Sequence, residues 1–591
     1  MSTRWRHFFA SVPHFALVLS VAFLTAVVTE LLCLLIGNQE GNIFWQEFGK
    51  GELILGDRLE VWTSLALLLA SPFLLRFCGG VRWRTIGAWL ENHVVLVVVL
   101  SGLFYAMLMH GVGKDIAYSP DEACAILQAR TFAALKTTPQ VGPELARLVI
   151  PKNIQDDFVV FLEQSGRYTP TYWPGYSLIL MPFALLGVEW LCNPVLTALS
   201  LFVLFHLVRR LTGSKEGGAW SLAFALSAPQ VMLNSATYYS MPAHLLFNLL
   251  FCWLIVNNTR RAAFAAGLVG GFALILHNPA PHFSFAFPWI VWLAFKRRSH
   301  LFPLVAGYAL ICMPFAVGWS LHLQSFDAGR YLKAATSAGT SPAKSSNFAE
   351  VLSRLAYVVH FPGTYIWLSR VAGVCKFVIW AAPGAAGLAL AGWLLARRER
   401  YRQKAIVQNQ DPCALLHPAF ENDYFWLFGL SVTFNFVLYL FFRYDQGHGW
   451  GYRYMHQNWM ALAVLPAFFL VRATPQWKKL AALFCLCGLF VIMPIRILQM
   501  RALTDFLLER RPPSPPSAPT ITFMREDDQR ATFLRNDPFL RNSQWNLRFQ
   551  SPAKNAAVAQ RYLANAHQVE KGVWGEMWVG DSFVRSGSPV K

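Results

Sequence analysis

Residues 93–112 read HVVLVVVLSGLFYAMLMHGV, a stretch of twenty residues without a single Asp, Glu, Lys or Arg. A stretch of this length and composition can cross the hydrocarbon core of a bilayer as one helix. The rest of the 591-residue chain has the same character: 55% of its residues are hydrophobic and only 14% are charged, against roughly 25% in soluble proteins. The sequence therefore predicts an all-α polytopic membrane protein and excludes disordered and disulfide-scaffold classes.

Apolar runs that could span the bilayer recur along the chain. The thirteen candidates are residues 12–37, 61–78, 93–112, 193–210, 219–237, 241–257, 263–277, 283–296, 301–321, 371–396, 424–442, 457–471 and 478–499. Residues 172–190 are also apolar but are interrupted by Pro174 and Pro182. We therefore predict that this segment lies as a helix in the outer membrane interface.

The distribution of basic residues predicts the orientation. With a cytoplasmic N-terminus, the inner segments hold 21 Lys and Arg in 84 residues, and the outer loops hold 15 in 161. This is the positive-inside bias, so much of the formal net charge of +19 is a topology signal and a nucleic-acid partner is disfavoured. The predicted regions are three N-terminal spans (1–112), a large extracytoplasmic loop (113–192), a second set of spans (193–500) with outer loops 322–370 and 443–456, and an extracytoplasmic tail (501–591).

The strongest local motif, Tyr118-Ser-Pro-Asp-Glu122, follows the quoted run on the predicted outer face. Ser119 is a typical helix N-cap, Pro120 suits the first helical position, and Asp121 and Glu122 are favoured in the first turn by the helix dipole. A carboxylate beside the lipid headgroups is also a candidate general base for an acceptor hydroxyl, because a low dielectric raises its basicity. The two interpretations are compatible, since a catalytic carboxylate needs a rigid mount.

A second motif, residues 166–175, ends the same loop with the aromatic string Tyr172-Trp-Pro-Gly. Such a string at a membrane surface is typical of an interfacial anchor. The alternative is that Arg167, Tyr168 and Tyr172 line a pocket over the bilayer.

The third motif is the outer loop 443–456, which has three glycines among aromatic and hydrogen-bonding residues. Glycine lets backbone N–H groups approach an anion, and Arg453 offers a planar fork that suits phosphate. An ordinary tight turn with one interfacial Arg is the alternative. Arg370 is either a second phosphate contact or a stop-transfer flank, and His244 and His277 are either structural groups or members of the site.

No Walker A motif and no Rossmann glycine fingerprint is present in the sequence. All of the candidate chemistry lies on the predicted outer face, where nucleotide-activated donors are not normally available. An enzyme in this position must take its activated group from a lipid-linked donor.

These residues resemble the membrane glycosyltransferases of the GT-C superfamily, in the branch of the protein O-mannosyltransferases and the bacterial lipid A aminoarabinose transferases. The resemblance extends from Tyr118 to Arg298, with a weaker return from His448 to Pro466. It rests on Asp121-Glu122, Gly166-Arg-Tyr168, Trp173-Pro-Gly-Tyr176, Asn193-Pro-Val-Leu196, Arg209-Arg-Leu-Thr-Gly213, Ser240-Met-Pro-Ala-His244 and Gly451-Tyr-Arg-Tyr454.

The resemblance implies a GT-C fold of about thirteen transmembrane helices. It also implies transfer of a hexosyl or pentosyl group, with inversion, from a polyprenyl phosphate to a hydroxyl of a lipid, polysaccharide or protein acceptor. Asp121 would be the general base and Glu122 would orient the acceptor. The donor phosphate would be bound by Arg453, Tyr452, Tyr454, His448 and Arg370, and the acceptor or pocket residues would be Arg167, Tyr168, Tyr172, His244 and His277.

The resemblance also predicts no cofactor other than the lipid-phosphate sugar as co-substrate, because an Arg at a desolvated phosphate can replace a metal. A divalent metal stays an alternative, since acidic loops in other GT-C branches bind one. Two departures are visible: the acidic motif follows the third span rather than the first, and Asn278-Pro279 stands where many relatives have Arg-Pro.

The expected location is the bacterial inner membrane, with a cytoplasmic N-terminus and membrane lipids as neighbours. The competing hypothesis is a transporter or flippase of lipid-linked sugars. It requires ionisable residues in mid-span, of which the sequence offers few, and Lys376 and Arg496 are read as isolated or near span ends.

Overall fold

The computed structural model describes residues 54–77, 83–150, 158–162, 165–325, 361–409, 418–442, 448–514, 516–525 and 536–584. The predicted first span, 12–37, and most of the outer loop 322–370 lie outside these residues. The described chain is mostly helical.

The helices of the N-terminal half are α1 Ile54–Phe77, α2 Trp83–Asn92, α3 Val94–Met107, α4 Pro120–Ala133, α5 Pro143–Val149, α6 Gly175–Leu185, α7 Cys192–Thr212, α8 Lys215–Leu226, α9 Pro229–Ser235, α10 Met241–Val256, α11 Arg260–Ile275, α12 Ala280–Lys296 and α13 Arg298–Gln324. Those of the C-terminal half are α14 Thr364–Ile379, α15 Ala385–Asn409, α16 Pro418–Leu440, α17 Ala461–Arg472, α18 Pro475–Cys487, α19 Met493–Glu509 and α20 Pro552–Tyr562. The strands are β1 Val159–Leu162, β2 Arg167–Pro170, β3 His448–Gly449, β4 Gly451–Tyr452, β5 Thr520–Met524, β6 Gln544–Arg548, β7 His567–Gly572 and β8 Gly575–Val579.

Five helical stretches of the described chain are long and apolar enough to cross a membrane. They are Val94–Val112, Glu189–Thr212, Arg298–Trp319, Asp423–Leu440 and Pro475–Glu509. Shorter apolar helices, Gly175–Leu185 and Met241–Val256, accompany them. The protein is therefore an integral membrane protein, while the number of thirteen spans and the orientation stay predictions.

Two of the predicted runs are not single helices. Residues 219–237 divide into α8 and α9, and Pro229 begins the second helix. Residues 371–396 divide between α14 and α15 at Pro383 and Gly384, where Gly384 has a left-handed φ of 73°. Proline disfavours a helical conformation in the residue before it, and the left-handed Gly384 directly precedes α15, so composition alone overestimated the continuity of these runs.

The C-terminal tail contains a small α/β unit, so the all-α prediction is wrong for this part of the chain. Its four-stranded sheet has the order β6-β5-β8-β7, with β5 parallel to β6 and the other pairs antiparallel. Ala559 and Tyr562 of α20 lie in the same hydrophobic core as the strands. Ile521 and Trp545 of the tail share one hydrophobic core with Cys124 and Leu145 of the loop that follows α3. The tail is thus packed onto this loop rather than hanging free.

Buried charges join α1 to α14 and α19. Arg496 donates from Nε to Glu60 at 2.7 Å and from a terminal nitrogen to Asp57 at 2.8 Å, and Lys376 lies 3.2 Å from the other oxygen of Asp57. The guanidinium also lies 3.9 Å from the centre of the Trp380 ring. The prediction that Lys376 and Arg496 are isolated is wrong, because both pair with acidic residues of α1, a helix that is distant from them in the sequence. The two acidic and two basic side chains are paired with one another, so this cluster holds the three helices together.

Candidate active site

Asp121 is held in place by the capped first turn of α4. Ser119 is extended, with φ −146° and ψ 160°, and its hydroxyl accepts from the backbone N–H of Glu122 at 3.5 Å. Pro120 occupies the first helical position, as the sequence predicts. The side chain of Asp121 keeps 15% of its surface exposed, so it is partly accessible.

Asp121 meets a residue that lies 332 positions further along the chain. Arg453 Nη1 donates to Asp121 Oδ2 at 2.7 Å, and the hydroxyl of Tyr172 donates to Oδ1 at 2.5 Å. The Arg453 guanidinium also lies 4.7 Å from the centre of the Tyr239 ring. Three predicted site residues from three separate motifs are therefore brought together around one carboxylate.

His277 joins this group through the ring of Tyr172, with ring centroids 4.0 Å apart and nearly parallel planes. The two chain segments that carry these rings are joined by main-chain hydrogen bonds, including one from the N–H of Tyr176 to the carbonyl oxygen of Leu276 at 2.8 Å. Gly175 permits this approach, because a Cβ there would lie only 2.5 Å from the carbonyl oxygen of Ile275. The glycine of the Trp-Pro-Gly motif is thus required by packing at the site.

The charges around Asp121 determine its protonation. Burial by itself would raise its pKa, but the Arg453 guanidinium and the Tyr172 hydroxyl together hold the pKa below its usual value. Burial lowers the pKa of His277 to about 4, so its imidazole is neutral at pH 7. Asp121 is therefore an ionised carboxylate that is paired with the Arg453 guanidinium.

The side chain of Glu122 holds the backbone. Its carboxylate is buried and accepts from the main-chain N–H groups of Tyr118 at 2.7 Å and Tyr238 at 2.8 Å. Burial raises its pKa to about 7, although the two N–H groups act in the opposite direction. This carboxylate is engaged by the main chain, which leaves the acceptor-orienting role without geometric support.

We expect Glu122→Gln to lower stability rather than acceptor affinity. A glutamine amide must turn its NH₂ group towards one of two fixed N–H donors, so one buried bond is lost, at a cost of about 1–3 kcal/mol. Thermal unfolding of the purified protein should show this loss, while KM for the acceptor stays unchanged for the folded fraction. A raised acceptor KM with unchanged unfolding would instead support the predicted acceptor role.

Arg370, another predicted phosphate ligand, holds the late loop together with Tyr452 and Tyr454. Arg370 is 1% exposed and donates to the carbonyl oxygens of Tyr439 at 2.9 Å and Phe442 at 3.2 Å. Its third contact is the Tyr452 hydroxyl at 3.1 Å, and its guanidinium lies over the Tyr454 ring at 5.1 Å. This group therefore anchors the segment that carries Arg453.

The remaining predicted residues lie at different places. Tyr168 is buried and its hydroxyl donates to the carbonyl of Pro538 at 2.7 Å, which helps to fix the C-terminal unit. Arg167 is partly exposed and reaches the Ser325 hydroxyl at 3.4 Å. His244 is buried near the site in the first turn of α10. His448 begins β3, and its side chain is not among the described parts of the chain.

Sequence reasoning missed Tyr239, which directly precedes the quoted Ser240-Met-Pro-Ala-His244 motif. It also missed His456, Asn458 and Gln230, which are buried polar residues in apolar surroundings. The available signal was a polar residue within an apolar run. Among the described residues no group of three His, Cys, Asp or Glu side chains is placed to hold a metal ion.

Fold and site together define a polytopic, mostly helical membrane protein with a partly exposed carboxylate–guanidinium pair. No protein-family model and no curated protein matches the chain. Among solved structures it is similar to the crystal structure of ArnT from Cupriavidus metallidurans bound to undecaprenyl phosphate, with a TM-score of 0.49 and 12% identity over 82% of this chain and 97% of that one. It is also similar to the apo structure of ArnT from the same organism, with a TM-score of 0.39 and 12% identity over 82% of this chain and 98% of that one. Both TM-scores are below 0.5, so we infer no residue role from them.

Proposed function

We propose that this protein is a membrane glycosyltransferase. It transfers a sugar, with inversion, from a polyprenyl-phosphate-linked donor to a hydroxyl acceptor on the outer face of the membrane. Asp121 is the general base and Arg453 binds the donor phosphate. The acceptor is a lipid, a polysaccharide or a protein.

The observation that carries this proposal is the contact of 2.7 Å between the partly exposed side chains of Asp121 and Arg453 in an integral membrane protein. Glycosyl transfer passes through an oxocarbenium-like state, which needs a carboxylate for the attacking group and a positive charge for the leaving group. The pair supplies both, and its two side chains, at 15% and 14% exposure, remain within reach of a substrate.

In the proposed step, an oxygen of Asp121 takes the proton of the acceptor hydroxyl as the acceptor oxygen bonds to the anomeric carbon. The bond from that carbon to the phosphate oxygen breaks, and its electron pair stays on the phosphate. Arg453 stabilises this charge without itself giving up a proton, because the guanidinium is protonated at all relevant pH values. The products are the glycosylated acceptor and polyprenyl phosphate, with Asp121 protonated until solvent removes the proton.

The transporter hypothesis requires ionisable side chains inside the bundle, and the Asp57 cluster is such a feature. Its acids and bases are paired with one another at 2.7–3.2 Å, however, and they join three helices. The Asp121–Arg453 pair, by contrast, is accessible. The transferase is therefore the better-supported function.

The test is covalent transfer by the purified protein in detergent, where no bilayer separates two compartments. The donor is a polyprenyl phosphate sugar from a set that carries different hexoses and pentoses, and the acceptor is an envelope extract of cells that lack the protein. Mass spectrometry should detect polyprenyl phosphate and a glycosylated product together. A flippase releases neither, so the absence of product for every donor and extract contradicts the proposal.

A further inference from the structure

Near the segment that carries Arg453 lies a group of buried polar side chains that we name the His244 cluster. Its members are His244, His456, Asn458 and Gln230, none more than 2% exposed. Several of their polar atoms have no hydrogen-bond partner in the described part of the chain. These are both ring nitrogens of His244, Nε2 of His456, both terminal atoms of the Asn458 side chain and Oε1 of Gln230.

The cluster is assembled by three elements. Gln230 in α9 lies 3.3 Å from His456 Nδ1, and both residues are buried. One turn after His244, Asn248 of α10 donates to the carbonyl of Gln457 at 3.4 Å. This bond places the first turn of α10 beside the short 3-10 segment that carries His456 and Asn458.

The cluster adjoins the chain segments that carry and contact Arg453. Gln230 Nε2 donates to the carbonyl of Tyr452, the residue before Arg453, at 3.4 Å. His244 stands in the first turn of α10, which follows Tyr239, and the Tyr239 ring lies 4.7 Å from the Arg453 guanidinium. A sugar whose anomeric carbon lies between Asp121 and Arg453 has its ring atoms a few ångströms from that carbon. The cluster thus lies beside the segment that carries the proposed phosphate ligand, where the donor sugar must also be bound.

Buried polar atoms in proteins are nearly always hydrogen-bonded, because an unpaired one costs free energy. Six such atoms on three adjoining segments of the chain are a strong exception. Imidazole nitrogens and amide groups are both donors and acceptors, and sugar hydroxyls have the same dual character. A ring with several hydroxyls would satisfy these atoms together.

We propose that the His244 cluster binds the hydroxyls of the donor sugar and selects an uncharged sugar over an amino sugar; this rests on the proposed function. An ammonium group needs a carboxylate when it is removed from water. None of the four cluster residues is a carboxylate, and Glu122 is engaged by main-chain N–H groups. The cluster itself offers neutral imidazole and amide groups close to the positive Arg453.

The test measures binding to the purified full-length protein in nanodiscs. The probes are short-chain polyprenyl phosphates that are bare or carry glucose, mannose, arabinose or 4-amino-4-deoxyarabinose. We expect at least one neutral sugar to bind about tenfold or more tightly than the bare lipid. The amino sugar should bind more weakly than arabinose, from which it differs only in replacing one hydroxyl by an ammonium group.

His244→Ala and Asn458→Leu should each reduce the preference for the neutral sugar about tenfold and leave bare-lipid affinity unchanged. The matched control is His282→Gln. His282 is another buried histidine, and its two nitrogens are engaged by Asn248 and the Tyr308 hydroxyl at 2.6 Å. This variant should keep the sugar preference even if it unfolds at a lower temperature. If His244→Ala does not fold, His244→Gln keeps a polar group there and should lose only part of the preference.

The inference is overturned if no sugar adds affinity, if the amino sugar binds more tightly than arabinose, or if folded cluster variants retain the full preference. These outcomes differ from failure of the proposed function, which is the absence of covalent transfer in detergent. A protein that transfers a sugar but prefers an amino sugar keeps its function and loses this subsite.

Discussion

Asp121→Asn is expected to reduce the rate of sugar transfer by about 10²–10⁴-fold, the range that a positioned general base contributes. The amide cannot take the proton of the acceptor hydroxyl. The variant should nevertheless fold, because the amide oxygen can accept from Arg453 and the amide NH₂ can donate to the Tyr172 hydroxyl, which then accepts. The loss therefore belongs to the chemical step.

Two measurements check this expectation. Initial rates in detergent should fall in the stated range, with an unchanged unfolding temperature. In cells that lack the protein, Asp121→Asn at matched expression should leave the sugar-lipid donor accumulated and one sugar missing from a surface glycoconjugate. If the variant instead restores the wild-type lipid and glycoconjugate profiles, Asp121 is only a helix-capping residue and the proposed mechanism is wrong.

Asp115→Asn is the matched control. Asp115 belongs to the same loop, and its carboxylate lies 2.8 Å from His110 on a partly exposed surface. Its φ of 54° is left-handed, a conformation that asparagine tolerates well. The substitution removes the same charge a few residues away and should leave the transfer rate unchanged.

The sequence predicted individual residues of the site but not the contacts between them. Asp121, Tyr172, His277 and Arg453 were each singled out, because each lies in a motif of chemically able residues next to an apolar run. That they meet depends on how the helices pack, and no local pattern records it. The Asp-Glu pair, likewise, carries no sign that Glu122 accepts from the main chain at Tyr238, 116 positions away.

The prediction failed where local breaks or distant packing decide the structure. Pro383 and Gly384 are visible helix-ending signals within an apolar run, and hydropathy gave them too little weight. The strands of the C-terminal unit are five or six residues long, and the core of this unit is shared with the loop after α3. Strands this short have little periodicity of their own, so only their packing identifies them.

The contact between Asp121 and Arg453 has a mechanistic consequence for the second large prediction. Atoms 2.7 Å apart leave no space for a sugar ring between base and phosphate ligand. An inverting reaction places the base and the leaving group on opposite faces of the ring. The donor phosphate must therefore draw Arg453 away from Asp121, and the pKa of Asp121 must rise as its cation leaves.

We expect Arg453→Leu to reduce kcat by about 10²–10³-fold, as removal of one donor to a developing oxyanion does. It should also change the acid limb of the pH profile. In the free wild-type enzyme Arg453 helps to hold the pKa of Asp121 below its usual value, so the acid limb of kcat/KM lies at low pH. Without Arg453, burial acts with less opposition, the pKa rises, and the limb moves to higher pH.

In the wild-type protein, the pH profiles of kcat/KM and kcat can be compared with each other. The profile of kcat/KM reports the free enzyme and that of kcat the substrate complex, in which the phosphate holds Arg453. The acid limb of kcat should therefore lie at higher pH than that of kcat/KM, and the two limbs should converge in Arg453→Leu. Arg453→Lys retains a charge beside Asp121 and should keep the limbs apart, at a lower rate because the planar fork is lost. Acid limbs that coincide in the wild-type protein would show that Arg453 stays with Asp121 throughout, and the phosphate would then need another ligand.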